Sequence, residues 1–436
     1  MTAETPLLGM LVVAFLLAIG LGWLCERIRV PGFVGGIIAG ILIANVYVGP
    51  FSLLNALDLG NPHSANFEAL TAFFEIGLIF LVFTVGMRIR PAVLRAVMRP
   101  ALRTSLVGVA VPFALGAAFV LLAIGDQNLY AVLFIGTALA ASSLGVVSQL
   151  LNDHQLVDRP VGHLLLGAAV FEDVIAFVLL AIIVALDGHN SSLSTDFGIQ
   201  VALVIGLAIA FVVVFLFLAE PIVRRLLHPA GVPEHPDAAA KAGMLLLALL
   251  FCLAVGYLAS SLQLAGILGA FFAGMALSEI APLYGIDKAF DALNAFFVPF
   301  FFVFIGLTLS LTGLASIWLL AVLITVLALL GKLLAGLAEW NSLGRQGALS
   351  IGTGLMARGE VALIIAIAAQ QAQLLSDSYL GAIVVMAIAT TIVGPTLFRQ
   401  VQRLVGPEPT SPSEPPAPPE LRARPGDTGG AGPTLM

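Results

Sequence analysis

GAAVFEDVIAFVLLAI, residues 167–182, places two adjacent acids, Glu172 and Asp173, inside an otherwise apolar run. The run reaches from about 161 to 186, enough to cross ~30 Å of hydrocarbon as one helix. A charge at the bilayer centre costs ~2.5–3.5 kcal/mol even on lenient insertion scales, so acids there are functional candidates by default. Consecutive helix positions point about 100° apart, so both carboxylates can line one cavity wall. Two like charges in low dielectric disfavour simultaneous ionisation. A carboxylate so placed can hold a proton or a hard monovalent cation, but not both. That mutual exclusion is the chemistry an exchanger needs.

The rest of the chain is of the same kind. Of its 436 residues, 60% are apolar and 10% charged, against about 25% charged in an ordinary soluble domain. So few charges cannot cover a water-facing surface. A soluble protein, a disordered one and, with a net charge of -6, a nucleic-acid binder are all excluded. Cys25 and Cys252 sit in apolar runs and offer neither a disulfide framework nor a thiolate metal site. No Lys or Arg precedes the first apolar run, so no cleavable signal peptide is expected.

Thirteen stretches are apolar and long enough to span a bilayer: roughly 7–25, 31–49, 68–87, 101–124, 129–151, 161–186, 197–219, 241–260, 262–280, 290–310, 313–338, 346–370 and 379–401. The basic residues test the count. Arg27, Arg29, Arg88, Arg90, Arg95, Arg99, Arg103, Arg159, Arg224, Arg225, Lys241, Lys288, Arg345, Arg399, Arg403, Arg422 and Arg424 all follow odd-numbered spans. The even-numbered loops hold Asp58, Asp126, Asp187, Asp196 and Asp377 but no Lys or Arg. The positive-inside rule then predicts an all-α polytopic protein with thirteen transmembrane helices, the N-terminus outside and the C-terminus cytoplasmic. Nine of the 24 prolines lie beyond Gly406. A transmembrane domain over 1–405 is therefore expected to end in a disordered cytoplasmic tail, 406–436. That tail carries no Gly-rich nucleotide-binding fingerprint, so no nucleotide-binding regulatory domain is expected.

Lys332 and Arg358 fall inside spans, as do Glu75 and Glu360. Lys332, in span 11, is the only midplane ammonium that can offset one acid of the Glu172–Asp173 pair. A purely structural Glu–Lys brace would leave Asp173 unexplained. Glu75, in span 3, is either an outer gate or an interfacial charge.

An internal repeat adds to this. VPGFVGGIIAGILIA (30–44) resembles LAGILGAFFAGMALS (264–278) at an offset of 234, and GTALAA (136–141) resembles GTGLMA (352–357) at an offset of 216. Each match pairs a span with the one seven later. Seven is odd, so the copies, about 7–187 and 241–404, would be inserted upside down relative to each other, as in alternating-access transporters. The second pair also carries Ser142 and Ser143 in one copy and Gly352, Thr353 and Gly354 in the other. Such clusters suit helices that break in the membrane and turn freed carbonyls to a cavity. The alternative is close packing of small residues at a helix contact.

Taken together, GAAVFEDV, GILGAFFAGMALS (266–278), FFVPFFFVFIGL (296–307), the lone Lys332 and GTGLMARGEVALIIA (352–366) resemble the cation:proton antiporter-2 family over essentially all of 7–404. That family contains sodium/proton exchangers and Kef-type potassium efflux transporters. The resemblance implies an inverted-repeat antiporter fold with two discontinuous crossing helices, a mobile core beside a dimerisation domain, and a homodimer in the bacterial inner membrane. It implies exchange of Na⁺ or K⁺ for H⁺ by alternating access, without a cofactor. By position, Asp173 matches the family's aspartate that binds the monovalent cation, and Lys332 the lysine that pairs with the preceding acid, here Glu172. Ser142 and Ser143 match the unwound segment beside the ion, and Arg358 and Glu360 a motif that supports the broken span. One departure matters: the family's sodium exchangers commonly carry Asp-Asp and its Kef-type members Gln-Asp, where this chain has Glu172-Asp173.

Other classes fit less well. An intramembrane protease needs an HExxH pair, a GxGD aspartate or a Ser/His dyad; no histidine here is followed by Glu, and no GxGD occurs. A receptor wants a sizeable extramembrane domain. The competing transport reading is a gated, proton-independent potassium efflux pathway, against which stands the lack of a TVGYG-type filter.

Overall fold

The computed structural model describes residues 7–28, 30–48, 51–89, 97–156, 159–187, 237–262, 266–309 and 311–405, with the isolated positions 206, 210 and 214. The seventh expected span, 197–219, the tail 406–436 and the loop residues Arg29, Arg90, Arg95, Asp196, Arg224, Arg225, Arg422 and Arg424 lie outside them, the three isolated positions apart.

The described chain is helical apart from a two-residue antiparallel pair, Tyr47–Val48 with Phe51–Ser52. We number the helices α1 Leu7–Arg27, α2 Phe33–Asn45, α3 Leu53–Ala56, α4 Ala65–Met87, α5 Met98–Ala118, α6 Leu129–Ala140, α7 Leu144–Asp153, α8 Pro160–Asp187, α9 Ala238–Ser261, α10 Gly266–Leu277, α11 Ala281–Tyr284, α12 Ile286–Leu307, α13 Leu311–Gly336, α14 Trp340–Gly354, α15 Glu360–Gln371 and α16 Asp377–Val405. Among the described residues, nine helical stretches are long and apolar enough to cross a membrane. Three apolar helices, Phe33–Asn45, Gly266–Leu277 and Glu360–Gln370, are shorter. The first two are shorter than the expected spans 31–49 and 262–280, and a helix of that size covers only about 20 Å. The architecture is that of an all-helical polytopic membrane protein.

The helices pack as two groups. In one, α2 lies between α1 and α12, α10 between α9 and α4, and α4 packs on α12. α1 buries only Met10, Ala14, Ala18, Gly22 and Cys25, a stripe at helical spacing, and leaves Leu7, Leu8, Leu16, Trp23 and Leu24 exposed. α9 buries Met244, Ala248, Cys252, Val255 and Ala259. Met10, Ala14 and Ala18 map onto Met244, Ala248 and Cys252 at the same offset of 234 seen in the sequence. The close approaches match as well. A Cβ on Gly35 would strike the α1 backbone at Gly22, and one on Gly269 would strike the α9 backbone at Val255 and Gly256. Phenylalanines seal α4 to α12: Phe74 stacks on Phe304 with centroids 4.4 Å apart, Phe73 meets Phe300 edge-on, and Phe83 lies against Phe290.

The second group comprises α5 to α8 and α13 to α16. α8 runs unbroken through its centre and carries the paired acids. Two of its neighbours are interrupted. The chain leaves helix over 141–143 between α6 and α7, and over 355–359 between α14 and α15. Phe177 of α8 touches Phe271 of α10, which joins the two groups.

Candidate functional site: a buried charge cluster at two helix breaks

The interruptions meet each other. Ser143 donates its backbone N–H to the Ala357 carbonyl at 2.9 Å, and the Ser142 hydroxyl donates to the Leu355 carbonyl at 2.8 Å. The Ser143 hydroxyl donates to the Glu360 carboxylate at 3.0 Å. Backbone groups released by one break are thus taken up by the other, which is what allows non-helical chain at this depth.

Around this junction stand charged side chains sealed from solvent. Glu172, Asp173, Lys332 and Arg358 are each fully buried. Lys332 Nζ lies 2.8 Å from Glu172 Oε2, and it donates to the carbonyls of Gly108 (2.8 Å) and Ala140 (2.6 Å). Ala140 is the last residue of α6, so the lysine also caps a broken helix end, where a cation meets the negative end of the helix dipole. Arg358 donates to the carbonyls of Met356 (2.7 Å), Ala328 (3.1 Å) and Leu139. Its guanidinium binds backbone at both breaks and on α13, not a carboxylate.

The oxygens of both Glu172 and Asp173 have no hydrogen-bond partner among the described residues, but Glu172 has the Lys332 ammonium at 2.8 Å, whereas Asp173 has no ion pair among them.

Seven of the eight residues singled out in the sequence therefore lie in one cluster: Glu172, Asp173, Lys332, Ser142, Ser143, Arg358 and Glu360. Glu75 does not join it. It is exposed on α4, away from the buried group. Several participants carry no motif. Gly108 of α5 supplies a carbonyl, and a Cβ there would collide with Glu172 Oε1, so the residue leaves room for the ion pair. Thr390 and Thr391 of α16 hold the peptide of Arg358: its N–H donates to Thr390 Oγ1 at 3.3 Å, and its carbonyl accepts from Thr391 Oγ1. Adjacent hydroxyls in an apolar span are the available signal, as with Ser142 and Ser143. At one end of this group Arg103 pairs with buried Glu339 at 2.7 Å, supported by Thr104 and Ser342. The sequence marks Arg103 only as a loop cation.

A cavity of about 1030 Å³ opens between the two helix groups, at the end of the bundle where Glu26, Asp153, Arg399 and Arg403 stand.

Residues 11–402 match the family described as "Sodium/hydrogen exchanger, transmembrane". The chain is 32% identical to the Na⁺/H⁺-K⁺ antiporter GerN of Bacillus cereus, over 87% of this chain and 92% of that protein. It is 27% identical to a Na⁺/H⁺ antiporter of Enterococcus hirae, over 87% of this chain and 94% of that one. Among solved structures, the sodium proton antiporter MjNhaP1 of Methanocaldococcus jannaschii superposes with a TM-score of 0.66, covering 92% of this chain and 99% of that one at 18% identity. That likeness concerns the fold.

Proposed function

The chain belongs to the sodium/hydrogen exchanger family, and from that premise we propose that it exchanges a monovalent cation, Na⁺ or K⁺, for protons, both competing for Asp173. The observation that carries this reading is an acid without a partner. Of the four fully buried charges, Lys332 is taken by Glu172 and Arg358 by backbone carbonyls. Glu360 is only partly buried and has its serine hydroxyl. Asp173 has no ion-pair or hydrogen-bond partner among the described residues, and a buried carboxylate left ionised in that state is strongly disfavoured. One proton or one monovalent cation neutralises it.

The breaks at 141–143 and 355–359 are then the crossing of two discontinuous helices, with freed carbonyls and hydroxyls of Ser142 and Ser143 beside the ion. The paired buried stripes of α1 and α9 support two inverted repeats in a chain of thirteen spans. Alternating access is motion of the group holding Asp173, a core, against the group holding α1 and α9, through which a homodimer forms. With the N-terminus outside and the C-terminus cytoplasmic in a bacterial inner membrane, the large cavity faces the cytoplasm. Glu75, exposed and apart from the cluster, is an interfacial charge rather than a gate.

The test is cation-dependent dequenching of a pH probe in everted vesicles with Na⁺, K⁺ and Li⁺. The expected result is proton movement driven by at least one of the ions, and none with Asp173→Asn, which keeps size but loses the charge. Substantial exchange by reconstituted Asp173→Asn would sink the assignment. A cation flux that moves no protons would favour the efflux pathway instead.

A further inference from the structure

Thr391 is the one buried polar residue among those lining the large cavity; Glu26, Gln149, Asp153 and Arg399 reach solvent. Its hydroxyl carries a single proton and has two acceptors, the Arg358 carbonyl and the Ala387 carbonyl, the latter at 2.7 Å. The Arg358 carbonyl belongs to the break beside Glu360 and Ser143. Across the cavity floor Val146, another lining residue, is bonded through its N–H to Ser143 Oγ at 3.3 Å. Both breaks are therefore bonded directly to residues of the cavity lining, and Thr391 is the lining hydroxyl held by the Arg358 break.

We propose that Thr391 Oγ1 and the Arg358 carbonyl are a capture site for the incoming cation, on the path from the cavity to Asp173. When the hydroxyl turns its proton to Ala387 O, the Arg358 carbonyl loses its donor and the Thr391 oxygen turns its lone pairs outward. The Thr391 oxygen on the cavity lining and the Arg358 carbonyl bonded behind it are then two free oxygen ligands, the kind a hard, partly dehydrated monovalent cation requires. Only a C–O rotation is needed, and Ala387 O keeps the proton satisfied throughout. No covalent step is involved.

This inference rests on the antiporter reading, and its test separates the two. In everted vesicles, where the cavity faces the bath, Thr391→Val keeps the shape and removes the hydroxyl. The apparent KM for the transported cation should rise about tenfold, equivalent to ~1.4 kcal/mol, with Vmax within about twofold; the melting temperature should fall modestly, because the buried Arg358 carbonyl loses its donor. Thr391→Ser should behave as wild type. In right-side-out vesicles the KM should not move. If Thr391→Val fails to assemble, Thr391→Cys serves, since a thiol keeps the volume but is a poor ligand for a hard cation. A wild-type KM in Thr391→Val overturns the inference, and so does equal damage from Thr391→Ser, which would mark the methyl and hence packing. An absence of exchange in wild type would remove the antiporter reading itself.

Discussion

Lys332 has three protons and three acceptors, the Glu172 carboxylate and the carbonyls of Gly108 and Ala140. In the exchange proposed above, an ammonium held this way is suited to stay protonated while Asp173, one residue along α8, would trade proton for cation. Removing it strands Glu172 without its partner, and breaking a buried pair by deleting one member costs about 3–5 kcal/mol. Lys332→Ala should accordingly lower the melting temperature in detergent at pH 7, and an unchanged value would show that the two residues are not paired. If the lysine keeps its proton, one proton trades for one cation and no net charge moves. Exchange in vesicles with the potential clamped by an ionophore should then be insensitive to voltage. Were a second proton carried, the cycle would respond with ~2.3 kcal/mol per 100 mV for each net charge moved. A rate that tracks the imposed voltage would establish the two-proton cycle.

At the scale of elements, the ion pair depends on how closely α5 and α13 approach α8. α5 can supply the Gly108 carbonyl only because no side chain stands beside Glu172 Oε1. Ser105, one turn earlier, donates to the Ala168 carbonyl at 3.0 Å and ties α5 to α8. A Gly108→Val substitution should therefore push the helices apart or displace Glu172. Its expected signature is loss of exchange and a melting temperature lowered to a similar degree as in Lys332→Ala. Combining the two should add little, because both remove the same interaction; fully additive damage would mean that Gly108 acts elsewhere. The short helices α2 and α10 obey the same logic, since each is wedged against its neighbour at a glycine, Gly35 and Gly269.

For the molecule as a whole, the last described helix ends at Val405, and residues 406–436 are rich in proline and poor in apolar side chains. Truncation after Val405 should leave exchange intact in vesicles, and a truncated protein that inserts normally but is inactive would make the tail regulatory. The membrane class, the acids of α8 and the offset of 234 were legible along the chain because each is a local matter of hydropathy or spacing. One dimension also sufficed to mark Lys332, Arg358 and the small-residue stretches as anomalies, since a charge or a hydroxyl cluster in an apolar run is costly wherever it packs. The pairing of Lys332 with Glu172 was expected from the lone ammonium and the family resemblance; their further partners were not legible. Glu75 looked as anomalous as Glu360, yet it is exposed on α4 while Glu360 meets Ser143 across 217 residues. Gly108 looked like an ordinary span residue, and the adjacent hydroxyls of Thr390 and Thr391 marked a place without a role, because a backbone carbonyl or a threonine hydroxyl acquires a role only from what is brought against it. Burial and spacing are written in the order of residues; the full set of partners of a buried charge is set by how separate helices pack, and only the tertiary structure decided that Lys332 also takes the Gly108 and Ala140 carbonyls and that Asp173 has no partner among the described residues.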